Sequence, residues 1–410
     1  MIAFVANAPW VSGCFDTALS KQRHRVASES AGVSLSLRKH LAETGALWLG
    51  GSTRALWQHR GPSSGTTPIG CLVVSDGNHT GPVMSGLAEV AFEGSLVGRG
   101  PYQREPRFTS LETNASILEV GTARIFVDPH LVGPLVFLDP RFFAQYKNKL
   151  HVPDTERVQE MRQRIREQFG RMTCIVLSQA LADHAHEPTL RYLDRQTLIV
   201  APHSARSLLD GLGFRNVRYL HPGEDCHVSC GPEDSPSEEC IEIRAVKGSV
   251  VGPPWQNPEN GYIFRLYRPC EPSAGLRCVF RMFYEPHGNF DEAELRAALA
   301  SSRDADGRLV DVVLAPPVRV IFAGFYELLR GAPSASELVR ILRPRMVIPI
   351  RNWEGRQSGF LSMLLRGNGS LADFREKITE MARHVGIDED LVRVGEPGVA
   401  FSLPLRSTGN

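Results

Sequence analysis

From residue 113 onward the chain has a readable rhythm of apolar and polar positions. Residues 114 to 128, N-A-S-I-L-E-V-G-T-A-R-I-F-V-D, alternate on both sides of Gly121-Thr122, and alternation about a tight turn predicts a β-hairpin. Its second strand stops at Asp128-Pro129, because proline cannot donate to a continuing ladder. Over residues 155 to 169, Val158, Met161, Ile165 and Phe169 recur at helical spacing among charged residues, which predicts a surface helix. An apolar run then ends at Ser178, a loop carries Asp183, His184 and His186, and a helix from Pro188 runs to about Leu193. A strand over 198 to 201, a helix over 204 to 212 and a strand over 217 to 220 follow. Strand and helix in turn at this spacing predict a parallel or mixed sheet covered by helices. Residues 241 to 246, 261 to 267 and 278 to 284 alternate as three strands of a second sheet. Strands over 311 to 315, 346 to 350, 392 to 394 and 399 to 403 complete the pattern, separated by helices near 291 to 300, 334 to 342 and 370 to 383.

Residues 1 to 95 lack this rhythm. Gly, Ser and Ala are common, and no segment keeps a period of 2 or 3.6. The first forty residues carry Lys21, Arg23, Arg25, Arg38 and Lys39 against only Asp16 and Glu29, with six serines from Ser12 to Ser36. A basic, serine-rich, acid-poor start predicts an organellar transit peptide and linker, so the division expected is a poorly structured extension over 1 to 95 and a folded domain over 96 to 410. Residues 72 to 75 and 86 to 92 are candidates for an additional first strand or two.

Composition narrows the function classes. Hydrophobic residues at 42% and charged residues at 22% are ordinary for a chain of 410 residues with a substantial core. A net charge of +1 gives no overall attraction to nucleic acid or to an anionic membrane, and no apolar run approaches the roughly 18 residues of a transmembrane helix. Eight cysteines are too few for a disulfide framework. Cys226, Cys230 and Cys240 lack the paired C-x2-C knuckles of a structural zinc site, so ordinary thiols in a reducing compartment are expected.

Four loops at predicted strand ends carry the candidate chemistry. The string L-S-Q-A-L-A-D-H-A-H (177 to 186) resembles the His-x-His-x-Asp-His signature of the metallo-β-lactamase superfamily, with Asp183 and His184 as the closing pair and Gln179 and Leu181 in place of the two leading histidines. An amide oxygen is a poor zinc ligand beside imidazole, and leucine offers a metal nothing. The strings V-G-P-P-W-Q-N-P-E-N-G-Y (251 to 262) and Y-E-P-H-G (284 to 288) extend the resemblance to the plastid and cyanobacterial branch, over residues 113 to 403.

This resemblance implies an α/β fold, a four-layered αββα sandwich, with a degenerate metal site and a plastid location, otherwise cytoplasmic. The third metal-binding histidine is replaced by Val250, Val251 or Gly252, leaving Trp255 as an apolar wall, Glu259 as a carboxylate and Asn260 to orient it. Glu285 and His287 stand where a bridging aspartate is usual, and Arg351 stands where the last histidine is expected, placed to fork onto a carboxylate or phosphate or equally to pair with Glu354 on the surface.

Two readings follow. In the first, one divalent metal, zinc if any, is held by Asp183, His184 and His287. It hydrolyses an ester, amide or phosphoester of a small-molecule substrate, with Asp183 and Glu285 as ligand or base and Arg351 receiving the developing anion. Alternatively a non-catalytic protein has lost the metal and grips a small ligand through Trp255, Trp353, Arg351 and His184.

Overall fold

The computed structural model describes residues 105–150, 152, 157–231, 239–250, 259–269, 275–300, 304 and 307–406. The expected transit segment and linker over 1 to 95, and Trp255, lie outside the described residues.

The first half runs β1 (Arg107–Ser110), β2 (Ser116–Val120), β3 (Ala123–Val127), β4 (Leu135–Phe137), β5 (Phe143–Tyr146), α1 (Val158–Phe169), β6 (Cys174–Val176), α2 (Glu187–Tyr192), β7 (Leu198–Pro202), α3 (Arg206–Gly211) and β8 (Val217–Leu220). The second runs β9 (Asp225–Ser229), β10 (Cys240–Lys247), β11 (Asn260–Pro269), β12 (Leu276–Tyr284), α4 (Glu292–Ala298), β13 (Val312–Ala315), β14 (Arg319–Phe322), β15 (Tyr326–Arg330), α5 (Ala332–Leu342), β16 (Met346–Pro349), β17 (Arg356–Ser358), β18 (Leu365–Asn368), α6 (Leu371–Val385) and β19 (Phe401–Ser402). One sheet has the order β19-β1-β2-β3-β6-β7-β8 and the other β16-β13-β12-β11-β10-β9.

The two-residue side-chain period of a strand explains the layering. In β3, Ile125 and Val127 face the second sheet, meeting Ile243, Phe264, Met282 and Tyr284 in one cluster. Phe126, between them, points the other way into a cluster with Met161, Ile165 and Phe169 of α1 and Leu190 of α2. Across the molecule, Ile263, Phe283 and Val313 are the outward residues and pack with Leu338 and Leu342 of α5 and Phe374 and Ile378 of α6. Two sheets thus share an inner core and each carries helices on its outer face, which is the αββα sandwich.

Strands β3, β6, β7 and β8 pair in parallel, as do β12, β13 and β16. Their carboxyl ends supply the loops described below, the usual place for chemistry in such sheets.

Several boundaries differ from the sequence expectation. The expected strand over 392 to 394 is a single bridge from Val392 to Val347. Strand β13 starts after Asp311, whose carboxylate accepts the Arg281 N–H and meets Arg345 and Arg406. Two small sheets, β15-β14-β18 and β17-β5-β4, were not legible, since their strands of three to five residues are too short to show a period. Among the described residues no helix is long and apolar enough to cross a membrane.

The loop from β1 to β2 is clamped to the segment after β5. Glu112 and Thr113 adopt positive φ of 64° and 52°. The Glu112 carboxylate accepts the backbone N–H groups of Asn148, Lys149 and Leu150 at 2.7–3.2 Å. Lys147, buried, donates through Nζ to the carbonyl of Leu111 at 2.6 Å and to that of His130. Burial pulls its pKa down to about 7, against the pull of Glu112. Between about pH 7 and the ordinary lysine range the unfolded chain therefore holds a proton that the folded chain lacks, so stability rises with pH across that window. Urea unfolding from pH 6.5 to 10 should show this rise, and Lys147→Met should flatten it.

Candidate metal centre

The loop after β6 is short and turns sharply. The N–H groups of His184 and Ala185 both return to the Leu181 carbonyl, and His186 ends the turn as the residue before α2, whose first turn contains Pro188. This delivers Asp183 and His184 to the gap between the two sheets. The loop after β12 supplies the third residue: Glu285 accepts the N–H groups of His287 and Asn289 at 3.0 and 2.6 Å, and Gly288 takes φ 75°. His287 is thereby turned inward.

Asp183, His184 and His287 each offer a ligand atom, and these atoms all lie within 4.8 Å of one another. His184 Nε2 is 3.1 Å from Asp183 Oδ2 and 3.2 Å from His287 Nε2. Ligand atoms held by one ion at about 2.0–2.2 Å stand about 3 Å apart at right angles and about 3.5 Å apart at tetrahedral angles, so two of the three spacings match one cation. Asp183 Oδ1 is buried and has no hydrogen-bond partner, which agrees. The donor set therefore fits a single ion.

Behind His184 stands Asp128, fully buried at the end of β3 with φ 45°. Its carboxylate accepts from Ser178 N–H at 2.7 Å, Ser178 Oγ at 2.6 Å and Tyr284 Oη at 2.6 Å, and lies 2.7 Å from His184 Nδ1. An imidazole held this way keeps its Nδ1 proton and presents Nε2. Burial alone would pull the His184 pKa down, yet Asp183 and Asp128 outweigh it and push it up to about 10. Burial and the adjacent His184 pull His287 down to about 4. Desolvation opposes it, but His184 above all holds Asp183 well below the usual carboxylate range.

The remaining sequence candidates lie elsewhere. Burial raises Glu285 to about 7, and its carboxylate is taken up by Ser249 Oγ and by the two N–H groups of its own turn, so its place is behind His287 rather than at the ligand atoms. The Arg351 guanidinium is directed to Glu354 at 2.8 Å and to the Gly395 carbonyl at 3.1 Å, not toward the three ligand atoms. Its backbone still bridges to Thr113, and the next residue, Asn352, donates to the Pro286 carbonyl. Trp353 packs against Val318, Val320 and Leu329. Burial raises Glu259, which accepts from Ser204 Oγ at 2.7 Å, while Asn260 donates to the Leu220 carbonyl and does not orient Glu259. Cys226, Cys230 and Cys240 are free thiols.

Sequence reasoning passed over Asp128, Asn114, Ser178 and Tyr284 as site residues. Asp128 read as a strand stop. The available signal was a carboxylate closing an apolar strand directly before proline, where solvent is absent and a partner is obligatory. Asn114 donates to the Asp183 carbonyl at 3.1 Å and lies 3.4 Å from His184 Nε2.

No curated protein matches the chain. Among solved structures, it is similar to a protein from Veillonella parvula described as a possible metal-dependent hydrolase, at 14% identity and TM-score 0.46, covering 73% of this chain and 100% of that one. It is also similar to isothiocyanate hydrolase from Delia radicum gut bacteria, at 13% identity and TM-score 0.46, covering 72% and 99%. A third is Igni18, a metallo hydrolase from the archaeon Ignicoccus hospitalis, at 18% identity and TM-score 0.43, covering 73% and 100%. A family model described as beta-lactamase superfamily domain matches residues 107–351, more than half of the chain. The chain belongs to the metallo-β-lactamase superfamily.

Proposed function

We propose that the protein is a metal-dependent hydrolase of a small-molecule ester, amide or phosphoester, working with one divalent ion held by Asp183, His184 and His287. The observation that carries this reading is the convergence of three ligand atoms within 4.8 Å at the carboxyl ends of strands from both sheets. What a divalent ion supplies at such a place is a lowered pKa for water and a pull on the substrate's carbonyl or phosphoryl oxygen.

The chain's own residues do the rest. Asp128 keeps the His184 ring in one orientation and one tautomer, so that Nε2 faces inward. His287, with its pKa drawn down to about 4, keeps its lone pair free at neutral pH. Asp183 retains its negative charge and offsets that of a cation. Glu285, by holding the N–H groups of His287 and Asn289, fixes the turn that aims His287. Burial of both imidazoles excludes bulk water from all but the side occupied by the partly exposed Asp183.

Metal analysis of the purified full chain should find close to one ion per chain, lost in Asp183→Ala and in His287→Ala. Hydrolysis of p-nitrophenyl acetate or bis(p-nitrophenyl) phosphate by the reconstituted protein should fall more than about a hundredfold in either variant, beyond the 10–100-fold typical of a residue one step removed from the metal. A wild-type chain that takes up no ion under metal-replete conditions, or variants that keep both ion and turnover, would refute the reading. Asp128→Asn tests the support of His184 separately. It should weaken metal affinity about 10–100-fold while His287→Ala removes binding, and equilibrium dialysis compares the two.

A further inference from the structure

We infer that Gln179 supplies a fourth protein ligand to this ion through its side-chain carbonyl oxygen, and that the resulting set of two imidazoles and two oxygens favours a six-coordinate ion such as Mn(II) or Fe(II) relative to zinc. The inference deepens the hydrolase reading and rests on it.

Gln179 is fully buried. Its terminal amide nitrogen lies 3.5 Å from both ring nitrogens of His287, the outer limit of a hydrogen bond, and its Oε1 has no partner at all. A buried amide oxygen left unbonded keeps its desolvation cost unrepaid, so a position like this calls for something positive to face it. A half-turn about the terminal bond exchanges oxygen and nitrogen without moving the backbone, so the amide can present oxygen on the side where it now reaches His287.

The rest of the surroundings point the same way. Among the described residues, the buried side-chain oxygens without a partner are Asn114 Oδ1, Gln179 Oε1, Asp183 Oδ1 and Asn352 Oδ1. Asn114 is tied through its amide nitrogen to the Asp183 carbonyl, and Asn352 through its own to the Pro286 carbonyl, so both reach the loops that carry the three ligands. Gln179 Oε1, on the side chain beside His287, and Asp183 Oδ1, on the side chain beside His184, are thus two buried oxygens that a cation between the imidazoles would answer. Carboxylate and amide oxygens are hard ligands that suit Mn(II), and two histidines with one carboxylate and open positions suit Fe(II). Structural zinc is held by nitrogen and sulfur in a closed tetrahedron and catalytic zinc takes three protein ligands, so a fourth, oxygen ligand with positions still open favours the six-coordinate ions.

Zinc generally binds N/O sites more tightly than Mn(II) in absolute terms, so the informative quantity is a change in preference. The full-length protein is stripped with a chelator, and Mn(II) and Zn(II) affinities are measured by competition with an indicator dye. The visible spectrum of the Co(II)-loaded protein reports coordination number. The wild type should give the weak absorption of six-coordinate Co(II). Gln179→His should give the intense bands of a four-coordinate ion and lower the ratio of Mn(II) to Zn(II) affinity about tenfold or more. Gln179→Leu should lose Mn(II) affinity about tenfold. Gln179→Glu, which keeps shape and an oxygen donor, should retain Mn(II) binding, and it carries the comparison if the leucine variant does not fold. Intense four-coordinate Co(II) bands in the wild type, an unchanged ratio in Gln179→His, or loss of Mn(II) from Gln179→Glu overturns the role of Gln179 while the three-residue centre stands. No bound ion of any kind overturns both.

Discussion

Asp128 ends β3 in the first sheet, is sealed from solvent, and gathers Ser178 from beyond β6, His184 from the following turn and Tyr284 from β12 of the second sheet around a single carboxylate. A buried carboxylate is tolerated only when its lone pairs are answered, and here each partner comes from a different part of the chain. The demand of one charge for hydrogen bonds thus sets the spacing between the carboxyl ends of the two sheets. The left-handed φ of Asp128, unfavourable for a residue other than glycine, persists because so many neighbours determine it.

The same device recurs on a smaller scale around the centre. Glu112 collects three backbone N–H groups of the segment after β5, and Glu285 collects two in the turn after β12. Both are loop staples made of carboxylates. Each stands beside a residue of the centre: Glu112 two positions before Asn114, Glu285 two before His287. The ligand atoms rest on loops, which are ordinarily the most mobile part of a fold. Carboxylates bound to backbone donors are what hold these loops still, so a side chain that looks like a base in sequence is here a structural acceptor.

Much of the scaffold was legible in sequence because periodicity reports burial directly. The hairpin of β2 and β3, the helix α1 and the strands β10 to β12 all carry their period within a few residues of the observed ends. Asp183, His184 and His287 stood out as residue types with metal chemistry at strand ends. What could not be read is direction. Glu285 and His287 are two residues apart, and only the turn decides that the imidazole faces inward while the carboxylate closes on the backbone. Arg351 sits at the expected strand end, where an anion and Glu354 were equal partners in sequence, and its guanidinium turns to Glu354, three residues on. Asp128 was hidden for the opposite reason: its partners lie 50 to 156 residues away, and no local pattern announces them.

Because His184 follows a strand of one sheet and His287 a strand of the other, an ion at this centre bridges the two halves of the sandwich. Any ligand that binds only the docked arrangement adds its binding free energy to folding, by about 2.7 kcal/mol at a hundredfold excess over its dissociation constant. Under the one-ion reading, metal supply governs how firmly the halves stay together.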